Sequence, residues 1–242
     1  MGSNWDWQVF LQDPGGEYPT YLQWMLSAWG WTVSVALLAL VIALVAGSVI
    51  GTIRTLPDNK FLVGFGNAWV ELFRNIPLLV QIFLWYHVVP AIFPALKSVS
   101  GFILVVLALG FFTSARIAEQ VRSGIQALPR GQRYAGMALG FTTVQYYRYV
   151  LLPMAFRIIL PPMTSEFMNI IKNSSIALTI GLMELTGRAR SMQEFSFQVF
   201  EAFTAATILY IVLNVILVFG MRWLEKRAAV PGFVGPSVSG GH

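Results

Sequence analysis

The sequence predicts an all-α integral membrane protein with about five transmembrane helices. Three observations carry that prediction. Of the 242 residues, 56% are hydrophobic and only 11% charged, where a soluble domain carries about 25% charge. No charged residue falls from 18 to 53, a run longer than the ~20 residues that cross a bilayer. Further apolar runs follow, and Lys and Arg gather in alternate links between them.

The first span is read as 29 to 53, with Tyr18, Tyr21, Trp24, Trp29 and Trp31 forming an interfacial aromatic belt. The second run, from about 61 to 93, contains Glu71, Arg74 and Pro77 and is read as one interrupted span. At its spacing of three, Glu71 reads as a partner of Arg74. The third span runs from about 101 to 121. The fourth runs from about 151 to 182, with Pro161 and Pro162 as kinks, and the fifth from about 203 to 223. Residues 1–28 form an outer N-terminal segment with an interfacial helix, and 29–227 the membrane domain. Residues 228–242, rich in Gly, Pro and Ser, form a flexible tail. The N-terminus has acids and no base before its first apolar run, so the first span is expected to be retained rather than cleaved as a signal peptide.

Charge orients the chain. With the N-terminus outside, the cytoplasmic face receives Arg54, Lys60, Arg116, Arg122, Arg130, Arg133, Arg148, Arg157, Arg222, Lys226 and Arg227. The outer face receives only Lys97, Arg188 and Arg190. The net charge of +5 is therefore topological, and no nucleic-acid partner is implied. Anionic lipid is a natural neighbour of the basic face.

Several chemistries are excluded. There is no cysteine, and His87 and His242 are the only histidines, so neither a thiolate nor a His-based metal site or triad can be built within one chain. No catalytic residue or metal ligand is assigned. The phosphate-binding pattern G-x-x-x-x-G-K-[ST] is absent, and none of the four lysines follows a glycine. Any ATP-driven process must draw on another chain.

The stretch 128–153, LPRGQRYAGMALGFTTVQYYRYVLLP, is more than a connector. Arg130, Arg133, Tyr134, Ala135, Gly136, Met137, Ala138 and Leu139 form a short basic helix that stops on Gly140, where glycine permits a sharp turn. A second helix, from about 142 to 150, returns the chain to the membrane at Pro153. A knob of small residues suits insertion into another protein's cleft; an amphipathic helix lying on headgroups has the same composition.

The run from Ala135 to Gly140, followed by Leu152-Pro153, resembles the cytoplasmic loop of bacterial ABC-importer permeases. ELFRNIPLLVQ, FTSARIAEQVRSGIQALPRGQ and PPMTSEFMNIIKNSSIA are similar to the polar amino acid branch, and to its glutamate/aspartate permeases in particular. The resemblance extends over nearly the whole chain. It implies a type I importer permease core in the bacterial inner membrane, whose loop is a coupling helix docked on an ATPase subunit, itself a dimer that binds ATP and Mg. It also implies a second permease, identical or related, and a periplasmic amino acid-binding protein. Tyr134 stands where the pattern has Glu, and Gly136 where it has a second Ala, so the acidic contact of that pattern is not carried over.

Polar residues inside spans are the candidates for a substrate pathway. Thr113, Arg116, Glu119 and Gln120 share one face of the third span. Ser165, Glu166, Asn169, Lys172 and Asn173 form a stripe on the fourth. Arg116 or Lys172 suits a substrate carboxylate, and Glu166 or Glu119 an ammonium. Bland readings stand beside these: Arg116 pairs with Glu119, and Asn173, Ser174 and Ser175 satisfy irregular backbone. Two other functions fit the same residues: a secondary transporter with Glu119 or Glu166 as proton site, and a channel or scaffold subunit.

Overall fold

The computed structural model describes residues 5–57 and 59–229, with the side chains of Arg130 and Arg133 outside that description. The tail expected beyond 229 lies outside the described residues. Among those described, every regular element is helical. In chain order they are α1 (Tyr21–Ile53), α2 (Lys60–Asn75), α3 (Leu78–Phe83), α4 (Val89–Ile92), α5 (Gly101–Gln126), α6 (Arg130–Ala138), α7 (Thr143–Tyr146), α8 (Leu152–Asn173), α9 (Leu185–Ser196) and α10 (Val199–Ala228). Short 3-10 turns lie at Trp7–Leu11, Pro94–Leu96 and Ser174–Ile180, and π turns join α3 to α4 and α7 to α8.

Helices α1, α5 and α10 are each long and apolar enough to cross a membrane, and the pair Lys60–Asn75 plus Leu78–Ile92 makes one broken crossing bent by 103°. Pro77 sits at the break. The carbonyls freed there are answered by Gln81, a buried side chain whose Nε2 donates to Phe73 O at 2.7 Å and Ile76 O at 3.0 Å. Apolar surroundings demand such internal satisfaction. Glu71 does not pair with Arg74; its carboxylate accepts from Asn75 Nδ2 at 2.7 Å.

Helix directions show that α8 crosses too. Gly47 faces Ile117, Gly51 faces Val121 and Gly110 faces Ile42. The numbers rise together, so α1 and α5 are parallel and the broken pair returns the chain between them. Trp29 Nε1 donates to Leu209 O at 3.2 Å. Further along, Val33, Leu37 and Leu40 share a pocket wall with Leu213, Ile216 and Leu217, so α10 also runs with α1. Against α5, α8 runs the other way: Gly124 meets Ile159, and Arg116 meets Glu166. That gives five passages. Pro161 and Pro162 lie inside α8 without ending it, and the regular helix stops at Asn173, short of the expected 182.

Two elements depart from expectation. The first span begins at Tyr21, eight residues before 29, because Thr20 caps it through Gln23 N. The N-terminal segment packs on it, with Val9 buried beside Tyr21, Trp24 and Met25. Helix α9 was not anticipated: its sequence LTGRARSMQEFS lacks a long apolar run.

The α1–α5 contact depends on missing side chains. A Cβ on Gly51 would lie 2.7 Å from Ala118 O, and one on Gly47 2.9 Å from Ser114 O, both backbone atoms. Gly51→Val is expected to destabilise the protein by about 1–3 kcal/mol through overpacking. Gly30→Ala, at a position open to 4 Å, is expected to be neutral or mildly stabilising. Thermal unfolding in detergent, read by tryptophan fluorescence, compares the two.

Candidate functional site

The loop expected to dock is built as its sequence suggests. α6 spans Arg130–Ala138, and Gly140 adopts φ +80°. Phe141 N donates to Gly136 O at 3.1 Å and Gly140 N to Met137 O at 3.0 Å. These two bonds close the helix in a left-handed glycine cap. Thr142 then caps α7: its Oγ1 accepts from Gln145 N at 3.3 Å, while Gln145 Oε1 accepts from Thr142 N at 2.9 Å. α7 does not end near 150. It runs through the π turn Tyr147–Leu151 into α8, so α7 and the span are one continuous rod that meets α6 at the Gly140 turn. Tyr134, Ala135, Met137, Ala138 and Leu139 are exposed, and Gly136 is buried.

The two polar stripes meet at one ion pair. Arg116 reaches across to α8 and donates to Glu166, with Nε to Oε2 at 2.7 Å and Nη2 to Oε1 at 3.2 Å. It does not pair with Glu119, three residues away on its own helix. Glu119 instead takes Arg54 of α1 at 2.8 Å and Arg122 at 2.9 Å. Both carboxylates proposed for an ammonium or a proton are thus already held by arginine. Thr113 is buried and Gln120 half-buried on α5; Ser165 is exposed and Asn169 and Asn173 half-buried on α8. Ser174 and Ser175 donate to the carbonyls of Ile171 and Lys172, both at 2.7 Å, where the helix tightens into its 3-10 turn. That is the backbone role expected of an irregular end.

Lys172 stands apart. It is exposed, and among the described residues it has no ion pair. It lies six residues beyond Glu166, about 9 Å further along α8. It lines a largely apolar groove of about 720 Å³ between α8 and α10, where Met168, Ile211, Val215 and Phe219 form most of the wall and Tyr210, Asn214 and Arg222 its polar points. Of the stripe on α8, only Lys172 reaches this groove. The α10 residues were missed because each is a lone polar residue in an apolar run; their spacing (207, 210, 214 and 222) was the available signal.

The α9 end of the groove is latched. Glu184 is fully buried at the α9 N-terminus. It accepts from Gly187 N at 2.8 Å, Thr186 N at 3.0 Å and Tyr210 Oη at 2.8 Å. Burial raises its carboxyl above the ordinary range, against the pull of these donors. Leu185 N donates to Thr32 Oγ1 at 3.0 Å, tying the same turn to α1.

A five-passage helical domain with an exposed helix–glycine–helix knob and a largely apolar groove edged by Lys172 and Arg222 has the architecture of a membrane permease. Residues 39–230 match the family described as binding-protein-dependent transport system inner membrane component, and the chain belongs to that family. It is 44% identical over 245 residues, 97% of this chain and 99% of the relative, to the glutamate/aspartate import permease protein GltJ of Escherichia coli (strain K12). It is 37% identical, over 79% of this chain and 88% of the relative, to the probable glutamine ABC transporter permease protein GlnM of Bacillus subtilis (strain 168). A crystal structure of an amino acid ABC transporter with histidines superposes with a TM-score of 0.75 at 30% identity, covering 86% of this chain and 95% of that one. The chain is thus a multi-pass inner-membrane permease of an ABC amino acid importer, and ATP hydrolysis belongs to a separate subunit.

Two outcomes follow. No atom lies within 4 Å of a Cβ placed on Gly140, so its need is conformational, and an L-residue there costs roughly 1–2 kcal/mol. Gly140→Val is expected to insert normally and lose copurifying ATPase, while Gly140→Asn retains it. Removing Arg116 strands Glu166, whose side chain is only 7% exposed. Arg116→Ala is expected to be destabilised by about 3 kcal/mol or more. The double mutant Arg116→Ala/Glu166→Ala recovers much of that loss in the same unfolding assay.

Proposed function

We propose that this chain forms the translocation pathway of an importer for acidic amino acids, glutamate and aspartate, delivered by a periplasmic binding protein. The observation that carries the substrate class is Lys172, an unpaired cation on a membrane helix, facing a groove rather than a carboxylate. A charge at that depth is costly unless it serves a ligand or faces water. The groove volume falls within the range of small-molecule sites, and the name of the E. coli relative supports the same substrates. Arg116 takes no direct part in this reading, since its bidentate edge is engaged by Glu166.

The groove is open along one side, and a second permease, identical or related, closes it. The segment from Arg130 to Gly140 docks on an ATPase dimer that binds ATP and Mg. The N-terminus is outside and the C-terminus in the cytoplasm, the arrangement that five passages and the distribution of Lys and Arg favour.

The test is substrate-stimulated ATP hydrolysis by the purified complex with loaded binding protein. Lys172→Ala is expected to lower glutamate-stimulated turnover roughly tenfold to a hundredfold, the worth of a hydrogen bond to a charged group, with complex yield unchanged. A variant that keeps the wild-type response to both glutamate and glutamine would remove Lys172 from substrate reading.

A further inference from the structure

We propose that the Tyr147 hydroxyl is the positioning contact through which the docking segment moves the α1–α2 elbow; the proposal rests on the permease reading above. Two routes leave α6 for the membrane. One is covalent: beyond the Gly140 turn, α7 runs through its π turn into α8. That route meets α5 further along α8, at Ile159 against Gly124 and at the Arg116–Glu166 pair.

The second route begins at Gly136. Its missing side chain lets α6 seat against Tyr146, where a Cβ would come within 3.1 Å of Cδ2. Tyr146 and Tyr147 are both buried, at 4% and 9% exposure, with their rings perpendicular. The Tyr147 hydroxyl donates to Thr55 O at 2.7 Å and lies 3.2 Å from Thr55 Oγ1, joining segments 92 residues apart. Thr55 is the elbow between α1 and α2. Beside it, Arg54 donates through Nε to Asn67 Oδ1 of α2 at 2.8 Å and pairs through Nη1 with Glu119 of α5. The elbow is thus tied to three helices, and Tyr147 ties it to the docking segment. Ring packing alone lets surfaces slide. A buried phenol bonded to a backbone carbonyl fixes both direction and distance, so a shift of α6 carries α1, α2 and α5 with it.

Tyr147→Phe removes the hydroxyl and keeps the ring. The experiment uses the complete complex with ATPase, second permease and glutamate-loaded binding protein, in proteoliposomes. It measures basal hydrolysis, stimulated hydrolysis and glutamate transported per ATP. The variant is expected to assemble in wild-type yield with wild-type basal hydrolysis. Stimulation and transport per ATP should each fall roughly fivefold, as loss of one hydrogen bond predicts. Unchanged stimulation and stoichiometry overturn the proposal. So does a loss confined to complex yield, or one in which basal and stimulated rates fall together, since either marks a merely structural tyrosine. A wild-type complex that no amino acid stimulates overturns the permease reading and this inference together, whereas a stimulated wild type with an equally stimulated Tyr147→Phe overturns this inference alone.

Discussion

A charge carried into the bilayer by one helix has to be answered by a group on another, and α5 carries most of that demand. Arg116 is answered by Glu166 of α8, and Glu119 by Arg54 of α1 as well as by its own neighbour Arg122. These pairs set more than electrostatics. The Arg116–Glu166 pair fixes the depth of α8 against α5, because a shift by one turn would separate a bidentate pair. Arg54–Glu119 does the same for the end of α1, where Gly47 and Gly51 let the backbones approach closely enough for the pair to close. Charge matching and glycine packing therefore act at the same seam. Each charge of the pair keeps a second partner, Arg122 for Glu119 and Asn67 for Arg54.

That logic explains what could be read from the sequence. The spans were legible because an uncharged run and a basic link are local signals. The break at Pro77 was legible because proline lacks the donor a continuous helix needs. The docking loop was legible because Gly140 and Leu152-Pro153 mark its turn and its return. The partner of Arg116 was not: Glu166 is fifty residues away, while Glu119 stands at helical spacing on the same face, and only the packing of α8 on α5 decides between them. Glu71 misled for the same reason, since its spacing to Arg74 is correct while its carboxylate turns to Asn75. α9 escaped because it is held by tertiary contacts, from Thr32, Tyr210 and Arg188 stacked 4.6 Å from the Trp24 ring centroid, rather than by an apolar stripe. The start of α1 was placed late because aromatic residues from 21 to 31 read equally as a belt and as a helix.

Matching the charges also singles out what is left over. The buried carboxylate at the start of α9, Glu184, is answered by helix amides and a phenol rather than by a cation, as suits a helix N-terminus. Lys172 has no such answer among the described residues. Arg222, on the facing wall of the same groove, likewise has no ion pair among the described residues, so the groove carries two cations without a carboxylate.

The arrangement of anchors then divides the molecule into parts that can move separately. The first turn of α9 binds α1 to α10 through Thr32 and Tyr210. At its N-terminal end α8 is continuous with α7, and a polar link to α10 is the Thr164–Glu225 bond at 3.2 Å. The docking segment reaches α8 through the chain and α1 through Tyr147, whereas α10 is reached through α1 and the α9 turn. The groove containing Lys172 lies between these two walls, α8 and α10. A small shift of one wall against the other changes what Lys172 faces, without any charge pair of α5 having to break.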